Sequence, residues 1–82
     1  MSKDHIQNKV RTLRFFRDEM TQLQLADEVG VTRQTLAAIE SGKYFPTLEL
    51  AFRIAKVFDV TLDEVFTYDS SKDKYKKRKK SK

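Results

Sequence analysis

The segment TQLQLADEVGVTRQTLAAIE, residues 21–40, carries the start and stop signals of two short helices separated by one glycine. Thr21 stands three residues before Gln24, which is the capping-box pattern of a helix N-terminus. Gly30 can adopt a left-handed backbone without steric cost, so a helix readily ends there. Thr32 then offers a second N-cap. The segment predicts two short helices joined by a tight turn. The second of them begins with Arg33, Gln34 and Thr35.

Three further helices are predicted around this pair. Apolar residues recur at spacings of three over about residues 8–18, which indicates an amphipathic first helix. Pro46 disfavours helical backbone at the residue before it, and Thr47 then caps the well-patterned segment LELAFRIAKVF. A capping box that begins at Thr61 starts a short fifth helix. No alternating strand pattern of useful length occurs, so the sequence predicts an all-α, compact five-helix bundle.

The positive charge of the chain is concentrated at its C-terminus. Residues 1–70 carry nine Lys and Arg against eleven Asp and Glu, whereas residues 71–82 carry eight against one. The folded part is therefore not basic, and any DNA contact there must depend on local placement of groups. The final segment has no apolar pattern to bury. The sequence predicts a domain over residues 8–68 and a basic, disordered tail over residues 69–82.

The composition argues against several classes of protein. The chain has no cysteine, and its one histidine, His5, lies among polar residues, so neither a disulfide nor a metal site is expected. No apolar run approaches the roughly 18 residues of a membrane span, and the first residues lack a signal-peptide core, which predicts a cytoplasmic protein. No phosphate loop or nucleophile–base set is present, so we expect no enzyme, cofactor or small-molecule ligand.

The two helices around Gly30 have the form of the helix-turn-helix found in DNA-binding proteins. A major groove about 12 Å wide admits one helix, which the preceding helix braces across the backbone. Residues at the start of the second helix then reach the base edges. Arginine pairs with guanine and glutamine with adenine through two hydrogen bonds each, so Arg33 and Gln34 are candidates for reading sequence.

Six short motifs follow one another between residues 8 and 66: Leu13-Arg14, TQLQLA, GVTRQTLAAIE, GK, PTLEL and VTLDEVF. Together they resemble the Cro/C1-type (XRE family) helix-turn-helix domain. The resemblance implies a lambda-repressor-like fold and a transcriptional regulator of prokaryotic or phage type. The chain departs from the family pattern in having one extra residue before Gln22, and in having Glu19 where a glycine commonly ends the first helix.

The resemblance also assigns roles to individual residues. Gln22 would hydrogen-bond the phosphate backbone and sometimes a base. Arg33, Gln34 and Ala38 would face the floor of the groove, and Thr35, Lys43 and Tyr44 would lie near phosphates. Ala38 can offer only apolar contact, for instance to a thymine methyl group. The complete predicted DNA-binding set is Gln22, Thr32, Arg33, Gln34, Thr35, Ala38, Lys43 and Tyr44. An ion pair between Arg14 and Glu40 would tie the first helix to the end of the third.

The function expected from these observations is sequence-specific binding of double-stranded DNA, as a repressor that reads a short inverted repeat. So small a domain buries only roughly 60 % of its unfolded surface, which favours a homodimer. The resemblance implies that it forms through the last helix, with Val60, Leu62 and Phe66 at the interface. The alternative is an antitoxin-like or adaptor protein that acts through a protein partner at Phe15, Phe16 and the fifth helix. The Arg-Gln-Thr start of the third helix favours DNA.

Overall fold

The computed structural model describes residues 5–76 and residue 78, and in them five α-helices enclose one core. The five-helix bundle predicted from the sequence is confirmed. None of the described helices is long and apolar enough to cross a membrane. The elements are β1 (Ile6–Asn8), α1 (Val10–Phe16), α2 (Gln22–Val29), α3 (Arg33–Glu40), α4 (Leu48–Phe58), α5 (Leu62–Val65), β2 (Phe66–Tyr68) and a 3-10 helix (Ser70–Lys72).

The two strands were not predicted. They form an antiparallel pair in which Ile6 lies opposite Tyr68 and Asn8 lies opposite Phe66. Three residues are too few to produce a recognisable alternation, and the partners lie at opposite ends of the sequence, so no local signal could have indicated the pairing. The strand pair is a minor addition to the all-α fold, and it begins at Ile6, ahead of residue 8.

The segment predicted as a disordered tail begins with an ordered turn. The backbone N–H of Asp69 donates to the carbonyl of His5 at 2.8 Å. The Asp69 carboxylate accepts from the backbone N–H of Ser71 at 3.0 Å, and residues 70–72 form a 3-10 helix. The Ser71 hydroxyl also donates to this carboxylate, at 2.6 Å, and the two hydrogen bonds from the Ser71 hydroxyl and backbone N–H lower the pKa of Asp69. The prediction of disorder also covers residues 77 and 79–82, which lie outside the described residues.

Helix α2 is closed at both ends by the residues that the sequence indicated. At its start the Thr21 hydroxyl accepts from the backbone N–H of Gln24 at 3.0 Å, and the Gln24 side chain accepts from the Thr21 N–H at 2.8 Å. At its end Gly30 has a φ of 79°, and its N–H donates to the Ala26 carbonyl at 2.9 Å. The Thr32 hydroxyl caps the start of α3 by accepting from the Thr35 N–H at 3.1 Å. Local sequence therefore determines where both helices begin.

Helix α1 is shorter than the periodicity predicted, because the chain turns sharply after Phe16. Asp18 and Glu19 both adopt left-handed backbone, with φ values of 55° and 53°. The turn is closed by the Met20 N–H, which donates to the carbonyls of Arg14 at 2.9 Å and Arg17 at 3.1 Å. Two residues with side chains thus take the place of the family glycine, although left-handed backbone costs about 1–2 kcal/mol for such residues.

All five helices contribute to the core. The side chains of Leu36 and Ile39, on one face of α3, are essentially inaccessible to solvent, and so is Leu25 of α2. Burial of this face forces the opposite face of α3 outward, which is the condition for inserting that helix into a groove. The buried cluster is Val10, Leu25, Ala26, Val29, Leu36, Ile39, Leu50, Ile54, Ala55, Phe58 and Val65.

The ion pair of Arg14 and Glu40 links α1 to the last residue of α3. Arg14 donates through Nε to Oε2 of Glu40 at 2.6 Å and through Nη2 to Oε1 at 2.9 Å, while its Nη1 donates to the carbonyl of Met20 at 2.8 Å. The two side chains are only 14 % and 8 % exposed. One guanidinium therefore fixes three segments: α1, the turn before α2 and the end of α3.

Asn8 provides a second link to the end of α3. Its amide Nδ2 donates to the carbonyl of Ile39 at 2.9 Å, and its Oδ1 accepts from the N–H of Val10 at 3.1 Å. The neighbouring N–H of Lys9 donates to the Val65 carbonyl at 2.8 Å. The N-terminal strand thereby connects the C-terminal turn of α3 to α5 and β2.

Replacing Glu19 with glycine should stabilise the fold. Glycine has no Cβ, so Glu19→Gly relieves the left-handed strain and should raise the free energy of unfolding by about 1 kcal/mol. Urea denaturation followed by circular dichroism measures the change. Glu28→Gly is the matched control, because the same exchange in the ordinary helical backbone of α2 should destabilise by up to about 1 kcal/mol. Equal destabilisation by both variants would contradict the prediction.

Removing Arg14 alone should cost more than removing the whole ion pair. Arg14→Met leaves the Glu40 carboxylate largely buried without its counter-charge and should lower the free energy of unfolding by about 3–5 kcal/mol. The double variant Arg14→Met/Glu40→Leu should recover most of that loss, since no unpaired charge remains. The same urea titration tests this. A double variant as unstable as the single one would show that the pair is a net source of stability.

Candidate nucleic-acid interface

Helices α2 and α3, with the turn Gly30–Val31–Thr32 between them, form the helix-turn-helix unit. The first two residues of α3, Arg33 and Gln34, are exposed, whereas Leu36 and Ile39 on its other face are buried. The two side chains best suited to base edges thus project from the start of α3 into solvent. This is the position from which a recognition helix contacts the floor of the major groove.

Internal contacts bring most of the predicted DNA-binding residues together. Arg33 Nη1 donates to Gln22 Oε1 at 3.1 Å, which joins the starts of α3 and α2. After α3, the N–H groups of Lys43 and Tyr44 both donate to the carbonyl of Ala38, at 2.9 and 3.3 Å. Gly42 allows this reversal by adopting a φ of 79°. The Lys43–Tyr44 loop is therefore hydrogen-bonded to the C-terminal turn of α3.

Gln22 has a role that the sequence analysis missed. Its Nε2 donates to Glu40 Oε1 at 3.1 Å, and this same carboxylate oxygen accepts from Arg14. Arg33, Gln22, Glu40 and Arg14 thus form one continuous hydrogen-bonded chain from the exposed start of α3 to the interior. Sequence periodicity could not indicate it, because Gln22 and Glu40 lie on different helices and their contact depends on the angle between them.

Thr32 and Thr35 are engaged within the protein. The Thr32 hydroxyl accepts from the Thr35 N–H at 3.1 Å and also donates to the Thr35 hydroxyl at 3.0 Å. Thr32 is exposed and Thr35 is half-buried. Thr32 therefore caps the start of α3. Any contact of Thr32 or Thr35 with DNA would have to leave this cap intact.

The charge around α3 is locally favourable to phosphate. Over residues 29–48 the acidic side chain is Glu40, which is paired with Arg14, while Arg33 and Lys43 are exposed. Acidic groups instead gather elsewhere, where Asp18, Asp27 and Glu28 line a cleft beside α2. A domain without net positive charge thus presents a cationic surface at the start and end of α3.

The residues predicted for dimerisation are only partly available. Val60, Leu62 and Phe66 are half-buried, and Val60 and Phe66 pack against the core of their own chain. Phe66 is also the first residue of β2, opposite Asn8. Phe15 and Phe16, the candidates for a protein partner, are 61 % and 78 % exposed and contact each other edge to face. The fold alone identifies no binding partner for either group of apolar residues.

No group of three or more metal-ligating side chains (His, Cys, Asp or Glu) is arranged to hold a metal ion within residues 5–76 and 78. The polar side chains at the start of α3 and α2 are the Gln22 and Gln34 amides, the Arg33 guanidinium and the Thr32 hydroxyl. Such groups hydrogen-bond base edges and phosphates.

Known proteins share this arrangement. The family described as Helix-turn-helix matches residues 13–65. An uncharacterized HTH-type transcriptional regulator of Methanocaldococcus jannaschii is 47 % identical over 64 residues, covering 78 % of this chain and 96 % of that protein. The uncharacterized HTH-type transcriptional regulator YgzD of Bacillus subtilis is 49 % identical over 61 residues, covering 74 % of this chain and 91 % of the relative.

A similar solved structure is the restriction-modification controller protein C.AhdI from Aeromonas hydrophila. It has a TM-score of 0.61 and 25 % sequence identity, over 68 % of this chain and 83 % of that protein. Sequence and fold agree, and the match includes both helices of the DNA-binding unit. The chain therefore belongs to the Cro/C1-type helix-turn-helix family of DNA-binding transcriptional regulators.

Proposed function

We propose that this regulator is a sequence-specific repressor that binds a short inverted-repeat operator as a homodimer. The observation that carries the proposal is the hydrogen bond of Arg33 to Gln22 at the exposed start of α3, with Gln34 beside it. Arg33 and Gln34, whose side chains suit purine edges, therefore lie at the start of a helix whose other face is buried in the core.

Base recognition follows from the chemistry of these two residues. Arg33 offers a planar fork of donors to O6 and N7 of guanine, and Gln34 offers a donor and an acceptor to N7 and N6 of adenine. Each such pair discriminates by about 1–3 kcal/mol against a wrong base. Ala38, half-buried one turn further along, leaves room for apolar contact with a thymine methyl.

Gln22 restricts the side chain of Arg33 before DNA is bound. An unrestrained arginine loses up to about 2 kcal/mol of rotamer entropy when it is immobilised. Because Gln22 accepts from Arg33 and is itself held by Glu40, part of that loss is already incurred in the free protein. Gln22 also lies at the first position of α2, where backbone N–H groups and the helix dipole favour a phosphate.

Contacts to phosphates would supply most of the affinity. Lys43 and Tyr44 are exposed beside the end of α3, and their backbone is tied to Ala38. Phosphate contacts fix the register of the protein on the duplex without reading sequence. With such contacts on both sides of α3, the recognition helix would be held in one position along the groove.

A two-fold dimer would double this surface. Half-sites one helical turn apart, about 34 Å, match two recognition helices of such a dimer. Leu62 supports the proposed interface because it is half-buried and, unlike Val60 and Phe66, is not packed against the core of its own chain. A dimer bound across a promoter would exclude RNA polymerase, which is the physical basis for proposing repression.

Fluorescence anisotropy tests the proposal. Full-length protein would be titrated onto the DNA upstream of its own gene, onto a duplex enriched by selection from random sequences, and onto a scrambled duplex. Preference for one of the first two by about a thousandfold or more supports sequence-specific regulation. Equal binding to all three would overturn it and direct attention to a protein partner at Phe15 and Phe16.

Gln34→Ala should reduce discrimination and leave general DNA affinity nearly unchanged. Loss of its paired hydrogen bonds should lower the preference for the selected site by about 1–3 kcal/mol, read as a ratio of anisotropy-derived Kd values. Gln7→Ala is the matched control, since Gln7 is an exposed glutamine on β1. A Gln34 variant that discriminates like the control would exclude Gln34 from base contact.

Leu62→Gln should weaken the dimer. It places a polar amide at the proposed interface and should shift the mass measured by light scattering at micromolar concentration toward the monomer. Leu23→Gln serves as the control, because Leu23 is a 54 % exposed leucine on α2. A wild-type protein that is strictly monomeric would reject the dimer outright, and equal behaviour of the two variants would reject this interface.

A further inference from the structure

A cluster of three rings joins the end of β2 to the Lys43–Tyr44 loop. The imidazole of His5 lies edge to face against Phe45, with ring centroids 5.3 Å apart, and against Tyr68, with centroids 6.5 Å apart. Phe45 directly follows Tyr44 in the chain. Only one imidazole ring therefore separates the end of β2 from the loop for which we propose phosphate contacts.

The chain leaves β2 through a turn whose direction is set by hydrogen bonds. Asp69 is held by the carbonyl of His5, and the Tyr68 hydroxyl donates to Oδ2 of Asp73 at 2.8 Å. That hydrogen bond raises the pKa of Tyr68 to about 12, so the phenol remains a donor at any pH used for DNA binding. The path of the chain is thus defined from β2 to Asp73, next to the His5 ring.

The residues after this turn carry a dense positive charge. Residues 74–82 contain seven Lys and Arg and no acidic residue. Those among them that the structure describes, Lys74, Tyr75, Lys76 and Arg78, are all exposed. Over residues 41–48 the loop beside the exit point also carries no acidic residue. A basic segment therefore starts after Asp73, which is linked through Tyr68 and His5 to the loop at the end of α3.

We propose that Lys74, Lys76 and Arg78 bind the DNA phosphate backbone next to the phosphates contacted by Lys43 and Tyr44. This inference rests on the proposed function, because it takes α3 to face the duplex. Successive residues of an extended chain lie about 3.3–3.6 Å apart, and duplex DNA offers one negative charge per about 1.7 Å of axis. These three cations can therefore each meet a phosphate.

The basic segment adds affinity without adding specificity. Lysine and arginine on phosphates release counterions, and each phosphate neutralised contributes about 0.9 to the slope of log K against log salt. This contribution is the same for an operator and for any other duplex, because phosphates carry no sequence information. The segment extends the electrostatic footprint of a domain that has few basic residues of its own.

The test uses full-length protein with Lys74→Gln, Lys76→Gln and Arg78→Gln combined. The matched control combines Arg11→Gln, Arg53→Gln and Lys56→Gln, which remove the same charge from exposed positions on α1 and α4. Anisotropy titrations on the selected and the scrambled duplex, between about 50 and 200 mM salt, give the slopes. The tail variant should bind both duplexes more weakly by the same factor, with the slope smaller in magnitude by about 1 to 3. The control should keep the wild-type slope.

Hydroxyl-radical footprinting locates the contact. Protections lost in the tail variant should adjoin those lost in Lys43→Gln, on the same side of the footprint. Unchanged slope and footprint in the tail variant would overturn the inference. Equal losses in the tail and control variants would also overturn it, since bulk charge would then account for the effect.

The failure of this inference is separable from failure of the proposed function. If wild-type protein does not prefer the selected duplex, sequence-specific regulation fails, while the slope on the scrambled duplex still decides whether the tail binds phosphates. If the preference is present but the tail variant matches wild type, the tail inference alone is rejected.

Discussion

The carboxylate of Glu40 is the point on which the positioning of the recognition helix depends. It receives two hydrogen bonds from Arg14 and one from Gln22, and Gln22 in turn holds Arg33. A buried ion pair contributes little net stability against an apolar replacement, because desolvation offsets the attraction. Its effect here is geometric. The chain of contacts makes the orientation of the exposed Arg33 depend on the packing of α1 against α3.

Charge in this protein is divided by location rather than spread over the surface. The folded region carries slightly more acidic than basic residues, yet the outer side of α3 has cations at both ends and its nearby carboxylate is neutralised by Arg14. Such a surface attracts DNA mainly at short range, because salt at ordinary concentration screens charges that are more than about 10 Å apart. In our proposal the exposed Lys74, Lys76 and Arg78 supply the longer-range, sequence-independent part.

Both ends of the described chain help to hold α3 and the loop that follows it. Pairing of β1 with β2 places His5 against Phe45, and Asn8 ties the last turn of α3 to the start of α1. The loop that presents Lys43 and Tyr44 is therefore buttressed by the N-terminal strand, and that strand is in turn held by the segment that follows α5. A change at His5, Asn8 or β2 can therefore reach the Lys43–Tyr44 loop through these contacts.

Local signals in the sequence were sufficient for the helices: Thr21, Gly30 and Thr32 set the limits of α2 and the start of α3, because caps and left-handed stops act within one turn. The family motifs also indicated the Arg14–Glu40 pair. Tertiary structure alone decided the rest. The strand pair and the contacts of Gln22 with Glu40 and of His5 with Phe45 join residues far apart in the sequence, whose meeting depends on how the helices pack, a relation that no local pattern encodes.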